Sequence, residues 1–179
     1  MIHRLAFDSP AGRLVITERD GAIEAIGWAP TPRDPHGPLG SRGDPNGEPI
    51  GAPTPLLREA RRQIEAYFAR DLCRFDLPLE PRGSAHDQRV WAAMRQIPYG
   101  ETRSYSALAF MVGSGPRAVG NACGHNPIPI VIPCHRVLAK GGLGGYSGGE
   151  GLPTKRLLLA LEGAAGFSAV TPARAPAMV

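Results

Sequence analysis

Three consecutive residues could do chemistry together: Cys134, His135 and Arg136. They end a proline-punctuated apolar stretch that begins at Asn126. The run from Ile128 to Ile132 is short, β-branched and bounded by prolines, so it reads as a buried strand or extended segment. Either would deliver the Cys134 thiol to the end of a rigid element, beside an imidazole and a guanidinium. A thiol is a good nucleophile only as thiolate, and neighbouring cationic or basic groups favour that form. Adjacent residues on an extended backbone point to opposite faces. His135 would therefore need a bend or a bridging water to act on Cys134. Glu162 could orient the histidine from the last helix, giving a Glu–His–Cys relay that produces thiolate at neutral pH. The competing reading is a structural cysteine, since free Cys is among the most buried residue types. Spacing alone leaves both open.

The elements that must position this stretch are bounded by composition. A chain of 179 residues with 42% hydrophobic content makes one ordinary soluble domain or two small ones. No apolar run approaches a membrane span, and the N-terminus lacks a basic region followed by an apolar core. The expectation is a cytoplasmic protein (nuclear in a nucleated cell) with no membrane partner. Three cysteines, Cys73, Cys123 and Cys134, argue against a disulfide framework. Charge is uneven. Residues 1–80 hold ten Arg and twelve Asp/Glu, net −2, whereas residues 81–179 hold ten Arg/Lys and four Asp/Glu, net +6. The second half is the one suited to a polyanion.

Along the chain, residues 2–28 read as a β-meander with turns at Ser9-Pro10-Ala11-Gly12 and Asp20-Gly21. Trp28 reads as core. Residues 29–53, rich in Pro, Gly and charge, read as a mobile loop. Thr54-Pro55 opens a helix whose apolar face is Leu57, Ala60, Ile64 and Phe68. Cys73 reads as structural, and residues 78–83 as a linker. This makes 1–80 a small supporting α/β domain. A second domain, 81–165, is mainly helical. Ser84 caps its first helix, with apolar Val90, Trp91, Met94 and Ile97. Ser104 caps a second, and Arg117 to Cys123 forms a third. Two short helices around Gly113-Ser114-Gly115-Pro116 suggest a helix-turn-helix. Small Ala118, Gly120 and Ala122 would permit close approach to a groove. The glycine-rich segment 140–151, holding Tyr146 and Ser147, is either a mobile loop or a pocket wall. A helix from Thr154 ends at Glu162 before Gly163. The tail 166–179 reads as flexible. The fold class expected is thus α+β: an antiparallel sheet with a helix, then a helical half carrying a helix-turn-helix and an active-site loop.

Pro133-Cys134-His135-Arg136-Val137, preceded by Asn126-Pro127 and followed by Gly145-Tyr146-Ser147-Gly148-Gly149, resembles the methylated-DNA–protein-cysteine methyltransferase family, the O6-alkylguanine-DNA alkyltransferases. The likeness runs from about Gly83 to Glu162. It implies direct-reversal repair of double-stranded DNA. The nucleotide is flipped out, and Cys134 takes the alkyl group from O6 of guanine (possibly from O4 of thymine) in a single irreversible turnover. No cofactor is implied, and a monomer is the default. By the same resemblance, Arg117 fills the vacated stack, and Tyr105 helps rotate the nucleotide and donates to the base. The helix carrying Ala118, Gly120 and Ala122 enters the minor groove. Asn126 ties the helix pair to the Cys134 segment. Pro129, Tyr146, Ser147 and Arg136 belong to the pocket and its hinge.

Departures from the family pattern are specific. The turn Gly113 to Arg117 is about two residues shorter than usual, and a proline directly precedes Arg117. His86 stands where an aromatic is usual. Three other readings compete. Cys123, His125, Cys134 and His135 have the types of zinc ligands, but their spacing matches no common zinc pattern. A lesion-binding module without transfer would ordinarily lack the acceptor cysteine, which is present, so that alternative holds only if the shortened turn or the pocket impairs transfer. A major-groove transcription factor needs polar side chains on its second helix, which here is nearly uncharged.

Overall fold

The computed structural model describes residues 1–29 and 51–167. The expected loop 29–53 and tail 166–179 fall almost wholly outside those residues.

Three antiparallel strands open the chain: β1 (Ile2–Ser9), β2 (Gly12–Arg19) and β3 (Ala22–Trp28), in the order β1-β2-β3. The β2–β3 turn is Asp20-Gly21, with φ of 50° and 87°. Positive φ at both central residues matches the right-handed twist of the flanking strands, which selects this dipeptide. The central strand is buried on both faces, with Leu14, Val15 and Ile16 at 1% exposure or less.

Helix α1 (Pro55–Phe68) starts where the sequence indicates, with the Thr54 hydroxyl accepting from the Leu57 amide. Its buried face is Leu57, Ala60, Gln63, Ile64 and Tyr67. Phe68, expected on that face, is half-buried, and Tyr67 takes the interior position. Cys73, expected to be structural, is exposed.

The segment expected as a linker instead completes the sheet edge. The Ile23 amide donates to the Pro78 carbonyl (2.8 Å) and the Glu80 amide to Ile23 (2.9 Å). Further along the same strand, the Ile26 amide donates to Pro127 (2.8 Å). The free edge of β3 is thereby covered, and the sheet is tied to the chain just ahead of the Cys134 segment.

The second half holds α2 (Ala85–Met94), β4 (Arg103–Ser104), α3 (Tyr105–Val112), α4 (Pro116–Gly124), a one-turn 3-10 helix (Cys134–Arg136), β5 (Val137–Leu138) and α5 (Leu152–Leu161). Ser84 and Asp87 form a reciprocal capping box on α2. Ser104 caps α3 by accepting from Ala107. Two-residue β4 pairs in parallel with β5, which places the start of α3 beside the residues following Cys134. The core is continuous through both halves: Leu14, Ile64, Trp91, Val119, Ile132 and Leu158 belong to one cluster.

Candidate active site

The strand expected over Ile128–Ile132 does not form; the segment is a buried chain of turns. Pro127, Pro129 and Pro133 carry no N–H and cannot join a ladder. Asn126 supplies what a sheet would have. Its Oδ1 accepts from the Ile128 amide (3.0 Å) and its Nδ2 donates to the Ile132 carbonyl (2.8 Å). Within the clamp, Ile130 sits at φ 74° and is fully buried. A β-branched residue in that region is strained and persists only when its surroundings over-determine it.

The clamp delivers Cys134, His135 and Arg136 as a single 3-10 turn. At three residues per turn, successive side chains diverge by about 120°. Cys134 therefore faces a groove while His135 and Arg136 turn inward. His135 Nε2 lies 2.6 Å from Glu162 Oε1. Arg136 grips the same carboxylate with both Nε (2.9 Å to Oε2) and a terminal nitrogen (3.0 Å to Oε1), and donates to the Ile97 carbonyl at 2.6 Å. Glu162 caps the C-terminus of α5, and Gly163 follows at φ 68°. The expected placement of Arg136 in the pocket wall is corrected: it is buried, away from the groove, as the second cation of Glu162.

The electrostatics follow from burial. Burial pushes the Glu162 carboxyl up, but the hydrogen bonds and charges of His135 and Arg136 outweigh it and hold it at about 2. Burial lowers His135 below its ordinary value despite Glu162. Burial also raises the Cys134 thiol, against the Asn126 side chain and the Lys155 charge. At rest the relay is a carboxylate, a neutral imidazole and a thiol. With Nε2 directed at Glu162, Nδ1 remains as the base. It is buried and has no hydrogen-bond partner among the described residues.

The groove has a volume of about 1330 Å³ and is lined by Cys134 together with Tyr105, Arg117, Gly120, Asn126, Pro129, Tyr146 and Ser147. It runs on to the sheet, past Trp28. Tyr105 is half-buried at the start of α3, and burial raises its hydroxyl to about 12, so it stays protonated at neutral pH. Its ring closes on Gly144, where an added Cβ would lie 2.8 Å from the ring. Tyr146 places a buried hydroxyl with no partner among the described residues. Trp28 packs edge-on against Tyr146, and a Cβ on Gly148 would meet its ring at 2.6 Å.

Two helices flank the mouth. Gly113 ends α3 in the left-handed conformation (φ 62°), and Pro116 is the first residue of α4, where its missing N–H costs nothing. Those two residues close the turn between α3 and α4. Arg117 and Ala118 are exposed at the start of α4, and Gly120 is half-buried. Ala122, expected on the approach surface, is corrected to core. It is 1% exposed, and its carbonyl accepts from Trp91 Nε1 (2.8 Å).

Sequence reasoning missed Lys155. Its ammonium is fully buried and donates to the carbonyls of Val137 (2.7 Å), Leu143 (2.6 Å) and Gly145 (3.1 Å). Burial lowers it to about 8. The available signal was a lysine three and four residues ahead of buried Leu158 and Leu159, on the apolar face of a helix. Tyr67 was missed as well; its hydroxyl donates to Glu162 Oε1 at 2.7 Å. Among the described residues no group of three or more His, Cys, Asp or Glu converges as a metal site requires.

A helix-turn-helix set beside a cysteine that is backed by a buried histidine–glutamate pair defines a class: DNA-binding proteins that use a cysteine as the reacting group. The comparisons agree. The family described as 6-O-methylguanine DNA methyltransferase, DNA binding domain, matches residues 85–164. A methylated-DNA–protein-cysteine methyltransferase of Mycolicibacterium paratuberculosis is 43% identical over 177 residues, covering 90% of this chain and 93% of that protein. One from Methanosarcina acetivorans is 51% identical over 111 residues, covering 60% of this chain and 70% of that one. The crystal structure of Mycobacterium tuberculosis OGT in complex with DNA superposes with TM-score 0.73 at 39% identity, covering 89% of this chain and 92% of that one. The chain belongs to the methylated-DNA–protein-cysteine methyltransferase family.

Proposed function

We propose that this protein repairs O6-alkylguanine in double-stranded DNA by moving the alkyl group onto Cys134, once per molecule and acting as a monomer. The observation that carries the reading is the buried Glu162–His135 pair placed directly behind a thiol that faces a groove flanked by Tyr105 and Arg117.

The target atom lies within a base pair, so the nucleotide leaves the stack at a cost of a few kcal/mol. Arg117, exposed at the tip of α4, enters the duplex in its place. Tyr105 donates to the extruded base, with Pro129, Tyr146 and Ser147 around it. Nδ1 of His135 draws the proton from the Cys134 thiol through a bridging water, and Glu162 holds the resulting imidazolium. The sulfur attacks the alkyl carbon in line. The S–C bond forms as the C–O bond breaks, and the electron pair stays on O6. The thiol proton ends, in net, on guanine. A thioether is not hydrolysed at neutral pH, so the acceptor is consumed.

The test is intact mass and peptide mapping after incubation with an O6-methylguanine duplex. One methyl on Cys134, in amounts limited by protein, is the expected result. Lesion-selective binding with no modified cysteine would replace transfer by a recognition role.

A further inference from the structure

We propose that Tyr67, on the helix of the N-terminal half, is a positioning residue for the relay; this rests on the reading of Cys134 as the alkyl acceptor. Its hydroxyl donates to Glu162 Oε1 at 2.7 Å, the same oxygen that receives His135 Nε2 at 2.6 Å and Arg136 at 3.0 Å. The side chain is fully buried and reaches a carboxylate 95 positions away.

Packing alone does not require the hydroxyl. The ring sits in an aromatic cluster with Phe68 (5.3 Å), Phe75 (5.5 Å) and Tyr99 (6.0 Å between centroids), a setting that phenylalanine would satisfy. Burying a phenol is costly unless it has a partner, and here the partner is the relay carboxylate. Every donor on Glu162 spreads its negative charge. Arg136 contributes a charged fork and the Gly100 amide a longer contact at 3.3 Å. Tyr67 adds a neutral donor on the oxygen facing His135. It thereby moderates the pull of Glu162 on the imidazole proton and keeps Nδ1 a free base near neutrality. The titratable and charged groups facing the pair are Tyr67 from α1, Tyr99 from the loop after α2, Arg136 beside His135, and Lys155 from α5.

The sign follows. Without the hydroxyl, Glu162 is more basic and holds a proton on His135 more firmly. The acid-side limb of Cys134 reactivity then moves to higher pH, and the loosened carboxylate lowers the plateau.

The experiment uses the full chain as Tyr67→Phe, with Tyr99→Phe as control. The Tyr99 hydroxyl bonds the Leu161 carbonyl (3.2 Å) rather than Glu162. Two readouts are followed across pH: methyl transfer from an O6-methylguanine duplex, and alkylation of Cys134 by iodoacetamide, resolved by peptide mass. In the second, sulfur displaces iodide and the thiol proton goes to buffer, so no lesion chemistry is involved. For Tyr67→Phe the expected result is a limb displaced upward by about half to one pH unit and a plateau roughly three- to thirtyfold lower, with duplex affinity unchanged. Tyr99→Phe should keep the parent's limb. A Tyr67→Phe profile that overlays the parent, or an equal displacement in Tyr99→Phe, overturns the proposal even if melting temperature falls. Failure of the parent to take methyl from the duplex would overturn the functional reading, while the iodoacetamide profiles still decide the role of Tyr67 in tuning the thiol.

Discussion

His86 Nε2 and Ser114 Oγ lie 2.8 Å apart, joining α2 to the turn between α3 and α4. Both residues lie where the sequence resemblance implies a departure from the family pattern, a histidine in place of an aromatic and a turn about two residues shorter, and one hydrogen bond joins them. His86→Ala is expected to cost about 1 kcal/mol and to weaken duplex binding by freeing the turn ahead of Arg117. Denaturant melts and fluorescence anisotropy with a labelled duplex measure the two effects. Unchanged binding would show that Gly113 and Pro116 set the turn by themselves.

Acid should unfold the protein through its relay. Glu162 is depressed from 4.5 to about 2 in the folded state. Its contribution to stability is therefore full above pH 4.5 and lost as pH falls toward 2. His135 is lowered by burial from 6.5, so the unfolded chain takes up a proton first and stability begins to fall below that pH. Both act in the same direction, and stability should decline from about pH 6.5 downward. In Glu162→Gln the step below pH 4.5 shrinks to what surface carboxylates such as Glu59 contribute, with stability at pH 7 lower by about 3–5 kcal/mol because Arg136 is left buried without its counter-charge. Urea melts at a series of pH values give the curve; an unaltered step in the variant would assign it to another carboxylate.

Lys155→Met removes the donor shared by Val137, Leu143 and Gly145. Leaving buried carbonyls unpaired costs about 1–3 kcal/mol each at most. The larger expected effect is on the groove, because those carbonyls hold the strand after Cys134 against the loop carrying Tyr146. Transfer from the free O6-alkylguanine base and from duplex should fall together. A loss confined to duplex substrate would place Lys155 in DNA binding instead.

Arg117→Ala separates binding from chemistry. The side chain is exposed and lies at the groove mouth. Transfer from duplex should drop while transfer from the free base is retained. If Arg117 also neutralises a phosphate, the slope of log affinity against log salt shrinks by about 1. Equal losses on both substrates would count against a role in nucleotide extrusion.

Much of this was legible because local rules set it. Thr54-Pro55, Ser84 with Asp87 and Ser104 each mark a helix start, and each forms its cap. Asp20-Gly21 makes its turn. The strand alternative for the Cys134 segment fails: β-branched residues suggest a strand, while periodicity does not register how many N–H groups three prolines remove. The side chain that replaces them, Asn126, acts through contacts six residues away in sequence. Lys155 and Tyr67 were invisible for a different reason. Their meaning lies in partners 10 to 95 positions distant, and residue type says nothing about which carbonyl or carboxylate the fold will bring near. Ala122 was placed by size, whereas its exposure depends on the rotation of α4 against Trp91.

The reach from Tyr67 to Glu162 also has a consequence for synthesis. Cys134 precedes Glu162 by 28 positions (162 − 134). As the chain grows, its acceptor sulfur emerges well before the carboxylate that completes the relay, and the helix bearing Tyr67 must wait for α5 to arrive. Until then the cysteine is an ordinary thiol, no better a trap for stray alkylating agents than any other in the cell. Relay-assisted transfer therefore becomes available only once α5 has brought Glu162 against the turn that carries His135.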